Sequence, residues 1–131
     1  MASGEWLVGN TWFLVHPGEV VHLQPSIPHM TKSSIIIDVM TDDSRVPDSI
    51  QWSATDTSAG NAQKAKAMMI SFWDGAEKAA LRIDLWTKDM MVDEMADFFY
   101  QTLMTMADTY GRATQYSEQV EEMKTFAKGF Y

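Results

Sequence analysis

Residues 81–114 read LRIDLWTKDMMVDEMADFFYQTLMTMADTYGRAT, and the change of period inside them decides the fold. Across residues 81–86 apolar and polar side chains alternate, as on a half-buried strand. From Val92 onward the apolar residues recur at intervals of three and four: Val92, Met95, Phe99, Leu103, Met106 and Tyr110. Asp93, Glu94, Asp97 and Asp108 lie off that stripe, the pattern of an amphipathic helix. Thr87 or Asp89 can cap its start, and an acidic first turn suits the helix dipole. Gly111 is expected to end or weaken the helix.

Working outward, residues 79–87 (AALRIDLWT) follow Asp74-Gly75, a strong hairpin signal. Residues 64–74 (KAKAMMISFWD) have the Ala, Lys and Met content of a helix, yet the hairpin signal makes them a strand paired antiparallel with the next. Residues 34–40 (SIIIDVM) are rich in β-branched side chains, and residues 49–54 (SIQWSA) alternate. Turn chemistry separates them, with Pro47 blocking continuation of a ladder. Residues 55–61 (TDTSAGN) form a polar loop. Residues 116–130 offer a second helix, with Val120, Met123, Phe126 and Ala127 on one face. Strands gathered first and helices last imply an α+β fold: a four-stranded antiparallel sheet followed by two C-terminal helices packed on one face.

Strand parity without bulges assigns the two faces. One would carry Ile35, Ile37, Val39, Ile50, Trp52, Ala65, Ala67, Met69, Trp73, Leu81, Ile83 and Leu85, and the helix stripe should cover it. The other would carry Ile36, Asp38, Met40, Gln51 and Lys66, with Met68, Ile70, Phe72, Arg82, Asp84 and Trp86 as a partner or oligomer surface. That face is too apolar for a merely wetted surface, and an exposed mixed patch of this kind marks a protein partner or a homodimer stacked on itself.

Composition bounds the function. The chain of 131 residues is 46% apolar, with five Trp, six Phe and eleven Met, which suits a globular core. Eighteen acidic against ten basic residues, net −8, argue against nucleic acid, whose phosphates require a basic surface. No cysteine is present, so neither a disulfide framework nor a thiolate metal site can form. No apolar run reaches the roughly 18–20 residues of a membrane span. Cytoplasmic residence is the expectation, with no signal peptide visible and the periplasm kept as the alternative.

Residues 1–29 differ from the rest. They hold His16, His22 and His29, three of the seven glycines and three of the four prolines, but no Lys or Arg. They read as an N-terminal extension outside the native domain, with residues 30–131 as a single α+β domain. The histidines stand six and seven residues apart, a weak metal spacing. Residues 30–131 therefore lack the side chains most used for nucleophilic, acid–base and zinc chemistry. Asp84, Asp89, Asp93 and Glu94 form the densest carboxylate group, but their spacing matches no calcium loop. Capping and a solvated first turn account for three of them, and Arg82 offers Asp84 an ion-pair partner. Neither a metal, a cofactor, a catalytic residue nor a small-molecule substrate is indicated, and the chain reads as a non-enzyme.

The 81–114 block, together with Val46-Pro47, Ile50-Gln51-Trp52, Ala54-Thr55-Asp56, Ala65-Lys66-Ala67 and Phe72-Trp73-Asp74, resembles the gliding-motility GldC family over about residues 33–130. The resemblance implies a small soluble accessory protein of Bacteroidetes-type bacteria. Such a protein would assist gliding motility beside a surface adhesin and its secretion machinery, and no catalytic residues are carried over. Four strands followed by two helices are also loosely similar to the export chaperone SecB, so two classes stand: a protein-binding or scaffolding module, and a chaperone holding unfolded clients.

Overall fold

The computed structural model describes residues 27–55 and 57–131. The extension expected at residues 1–29 lies, for its first 26 residues, outside the described residues. The chain falls into two compact units, one holding Thr31–Phe99 and one holding Tyr100–Tyr131. In chain order the elements are β1 (Ile35–Thr41), β2 (Pro47–Ala54), β3 (Gln63–Ala65), β4 (Ala67–Asp74), β5 (Ala79–Trp86), α1 (Val92–Thr114) and α2 (Ser117–Phe130). Antiparallel strands first and helices last agree with the α+β expectation. The single four-stranded sheet does not: β1-β2-β3 form one sheet and β4-β5 another.

Lys66 is the cause of the difference. The run expected as one strand bends there, because the Lys66 carbonyl accepts the Thr87 N–H at 2.7 Å and lies 3.1 Å from the Thr87 hydroxyl oxygen. Ala65, before the bend, pairs with Ile50 of β2, whereas Ala67, after it, pairs with Trp86 of β5. One run thus passes from one partner strand to another. The β2 pairing ends at Ile50 and Ala65, and β2 itself begins at Pro47. The Pro47 carbonyl is taken by the Lys88 N–H at 3.1 Å.

The turn into β2 is closed by Asp42, whose Oδ1 accepts the N–H groups of Ser44 and Val46 at 2.9 and 3.0 Å. Beyond it the register places Ile37 opposite Trp52 and Val39 opposite Ile50, so one face of this sheet is apolar as parity predicts. Ile50 sits between Val39 and Ala65 on that face and is 1% exposed. Among the described residues it is the one large side chain fully buried. Burial of the whole expected face does not follow: Ile35, Trp73, Leu81 and Ile83 are exposed. The expectation that the helix stripe covers all twelve residues does not hold.

The helix start differs from expectation as well. Thr87 and Asp89 do not cap α1; they hydrogen-bond to each other, and Thr87 is buried. Glu94 closes the first turn instead. Its Oε2 accepts the Met91 N–H at 3.0 Å, the reverse half of a capping box, and Lys66 Nζ lies 2.9 Å from its Oε1. These two bonds, the backbone one first, hold the Glu94 carboxyl below its ordinary range, and Thr87 does the same for Asp89. A depressed carboxyl adds stability above its unfolded pKa and loses it as pH falls through the folded one. Thermal midpoints should therefore decline as pH drops below the ordinary carboxylate range. Glu94→Gln should flatten that decline, and an unchanged pH profile would show that the pair contributes nothing.

In the second unit α1 runs through Gly111 to Thr114, so Gly111 does not end the helix. Its role is close approach: a Cβ there would stand 3.0 Å from Val120 Cγ2 of α2. The helix stops instead at Gln115, whose φ of 64° is left-handed and whose N–H donates to the Gly111 carbonyl at 2.9 Å. Ala107 and Ala127, both 0% exposed, are the small residues buried on the two helices. Lys124 pairs with Asp108 at 2.7 Å, and Tyr110 hydrogen-bonds Gln119. Phe126, expected on the inner face, is exposed. Gly111→Leu should lower stability by about 1–3 kcal/mol through overpacking. Gly111→Ala should stay near wild type, because a helix-propensity gain of about 1 kcal/mol is set against the tight contact. Denaturant melts of the two variants check the ordering.

Candidate functional site

The β4–β5 ribbon carries all six residues expected to form a partner surface. Its turn is built by Asp74, whose Oδ1 accepts the N–H groups of Ala76 and Glu77 at 2.8 and 3.1 Å. Lys78 closes the loop with a φ of 51°. Asp74 pairs with Ala79, so four residues, 75–78, lie between the strands. An even loop length pairs residues of opposite parity, and this overturns the expected grouping.

Residues directly opposite in an antiparallel pair share a face. Met68 is opposite Leu85, Ile70 opposite Ile83 and Phe72 opposite Leu81. Those six make an unbroken apolar face. Met69 is opposite Asp84, Ser71 opposite Arg82 and Ala67 opposite Trp86, which places the charged pair on the other face beside Trp73. Met68, Ile70 and Phe72 therefore do not share a surface with Arg82, Asp84 and Trp86. One face stacked on itself cannot take all six. Leu81, Ile83 and Leu85, assigned to the helix-covered face from sequence, are the partners of Phe72, Ile70 and Met68. Counting the residues of the Asp74-Gly75 turn as four would have found this.

The apolar face is open at its outer end: Phe72, Leu81 and Ile83 are 60%, 58% and 50% exposed. At the inner end of the ribbon a cavity of about 360 Å³ is lined from both faces. Met68 and Leu85 of the apolar face and Ala67, Met69, Asp84 and Trp86 of the other line it, together with Met95, Phe98 and Phe99 of α1. Flexible methionine side chains can repack around irregular apolar guests. On the opposite face Arg82 Nη2 lies 3.0 Å from Asp84 Oδ1, the ion pair expected from sequence, with both side chains about half exposed. Among the described residues no three His, Asp or Glu gather as a metal site, and no helix is long and apolar enough to cross a membrane. The arrangement offers apolar contact and an ionic register mark.

A family model described as gliding motility-associated protein GldC-like matches residues 47–131, from the first residue of β2 to the last residue of the chain. The chain belongs to the GldC-like family. The match starts later than the expected residue 33 and leaves out β1, but it includes the whole ribbon and both helices. No curated protein and no solved structure matches the chain. Membership of the GldC-like family associates the chain with gliding motility, and the matched segment includes the exposed apolar face of the ribbon.

Proposed function

We propose that this GldC-like chain is a non-enzymatic accessory protein of gliding motility and its associated secretion in Bacteroidetes-type bacteria, acting as a protein-binding or scaffolding module. The observation that carries the reading is the exposed apolar cluster of Phe72, Leu81 and Ile83 on one face of the ribbon. Leaving such side chains in water forgoes roughly 1.5–3 kcal/mol each relative to burial, so a partner that covers them gains that free energy. The absence of His and Cys from residues 30–131 supports the non-enzymatic part. The cytoplasmic setting belongs to the same reading and is checked by fractionation.

The second reading, a chaperone resembling SecB in role, is favoured by the cavity at the inner end of the ribbon, whose lining includes Met68, Met69 and Met95. The two differ in what is bound. Affinity purification from the native organism, run beside a Phe72→Asp variant, should return one folded partner that the variant loses. Many unfolded chains bound weakly would favour the chaperone, and equal recovery with the variant would remove the ribbon from both readings.

A further inference from the structure

The apolar face is one property of the ribbon; its edge is another. β5 ends its sheet, and among the described residues nothing pairs with its outer side. The direction of its backbone groups follows from the bond at Lys66. Thr87 N–H to Lys66 O, at 2.7 Å, makes Thr87 and Lys66 a hydrogen-bonded pair of the ladder. Such pairs alternate with non-bonded ones, so Leu81, Ile83 and Leu85 aim their N–H and C=O groups at β4. Ala80, Arg82, Asp84 and Trp86 aim theirs outward. An unprotected edge of this kind is a template for another strand.

The sequence of the edge is self-complementary about Ile83. Leu81 and Leu85 lie two residues to either side, Arg82 and Asp84 one to either side, and Ala80 and Trp86 three to either side. We propose that the outer edge of β5 pairs with the same edge of a second copy of this chain, antiparallel, about a twofold axis at Ile83. Each Arg82 then stands opposite the other copy's Asp84, and each Trp86 opposite the small Ala80. Leu81 meets the other copy's Leu85, and the two Ile83 side chains meet at the axis. Every outward N–H and C=O of the four edge residues gains a partner.

Other registers are worse on chemical grounds. A slip of one residue sets charged side chains on the apolar face. A slip of two sets Arg82 against Arg82 or Asp84 against Asp84, and like charges directly opposite are destabilising. In the paired form β4-β5-β5-β4 becomes one continuous sheet, and the apolar faces of both copies lie side by side on the same side of it. The inference rests on the reading of the ribbon as the binding surface and names a second copy as the occupant of its edge.

Sedimentation over a concentration series should show a reversible dimer for the full chain. Arg82→Asp and Asp84→Arg should each weaken it by about tenfold or more, since both symmetric contacts become repulsive. Mixing the two variants should restore association as a heterodimer, because each Asp then faces an Arg of the other copy. A merely intrachain role for the pair predicts no such recovery, as neither variant regains its own ion pair. Ile83→Cys, in a chain with no other cysteine, should cross-link under mild oxidation, since a non-bonded pair holds its Cα atoms about 4.5 Å apart. Leu81→Cys should not, being about 14 Å from its own copy in this register. A monomeric wild type, single variants that dimerise undiminished, mixed variants that stay apart, or equal cross-linking at both positions would overturn the pairing. A monomeric wild type whose partner capture still depends on Phe72 would leave the binding surface standing and remove only the self-pairing.

Discussion

Ile50→Ala is expected to cost the strand unit about 2–5 kcal/mol, the range for truncating a buried Ile or Leu. Ile50 is 1% exposed and touches the core from both sides of β2, with Val39 and Ala65 as its ladder partners. Small domains have net stabilities of only about 5–15 kcal/mol, and a unit with so few buried large side chains belongs at the low end. Such a loss should therefore unfold a large fraction of the molecules at ordinary temperature. Ile36→Ala, on the opposite face of the same sheet and exposed, should change stability by about 0.5 kcal/mol or less. Urea titration followed by tryptophan fluorescence reads both variants. A cost below about 1 kcal/mol at Ile50 would mean that the sheet collapses into the cavity and that the core lies elsewhere.

Phe72→Asp should reduce partner capture by well over tenfold and leave the free chain folded. A large aromatic at the centre of an interface commonly accounts for 2 kcal/mol or more on truncation, and an unpaired carboxylate in a dry contact adds its desolvation cost. The side chain is 60% exposed in the lone chain, so its removal withdraws little from the fold itself. Association through the outer edge of β5 should survive the change, because Phe72 lies on β4, one strand away. Circular dichroism, sedimentation and capture by the partner, measured on one preparation, separate these effects. Loss of the folded signal in Phe72→Asp would place Phe72 in the core and remove the ribbon face as a binding surface.

Much of this architecture was legible in the local pattern. The period change between Trp86 and Val92 locates the end of β5 and the start of α1 to within a residue, because a strand and a helix bury different spacings of the same apolar residues. The face shared by Ile37, Val39, Ile50 and Trp52 also follows from alternation, as no bulge intervenes where those residues pair. Arg82 and Asp84, two apart on one strand, necessarily share a side and pair as expected. The family resemblance was likewise carried by the wording of blocks between residues 46 and 114 and placed over about residues 33–130, and the match to residues 47–131 supports the family.

Tertiary structure decided what depends on the relation between segments. Alternation states which side of its own strand a residue takes, but the joining of two strands depends on the turn. The four residues between Asp74 and Ala79 exchanged the partners of Phe72 and Ile70. A single carbonyl, that of Lys66, decided whether residues 64–74 serve one sheet or two, through a bond to Thr87 twenty-one residues away. Gly111 could be read as a helix terminator by propensity alone; only the Val120 side chain beside it shows a glycine placed for contact. The sequence by itself determined the elements and their amphipathic character, because those arise from steric and solvation preferences within a few residues. Register, bending and exposure were left to the folded chain, because each is set by hydrogen bonds and contacts between residues that the local pattern does not connect.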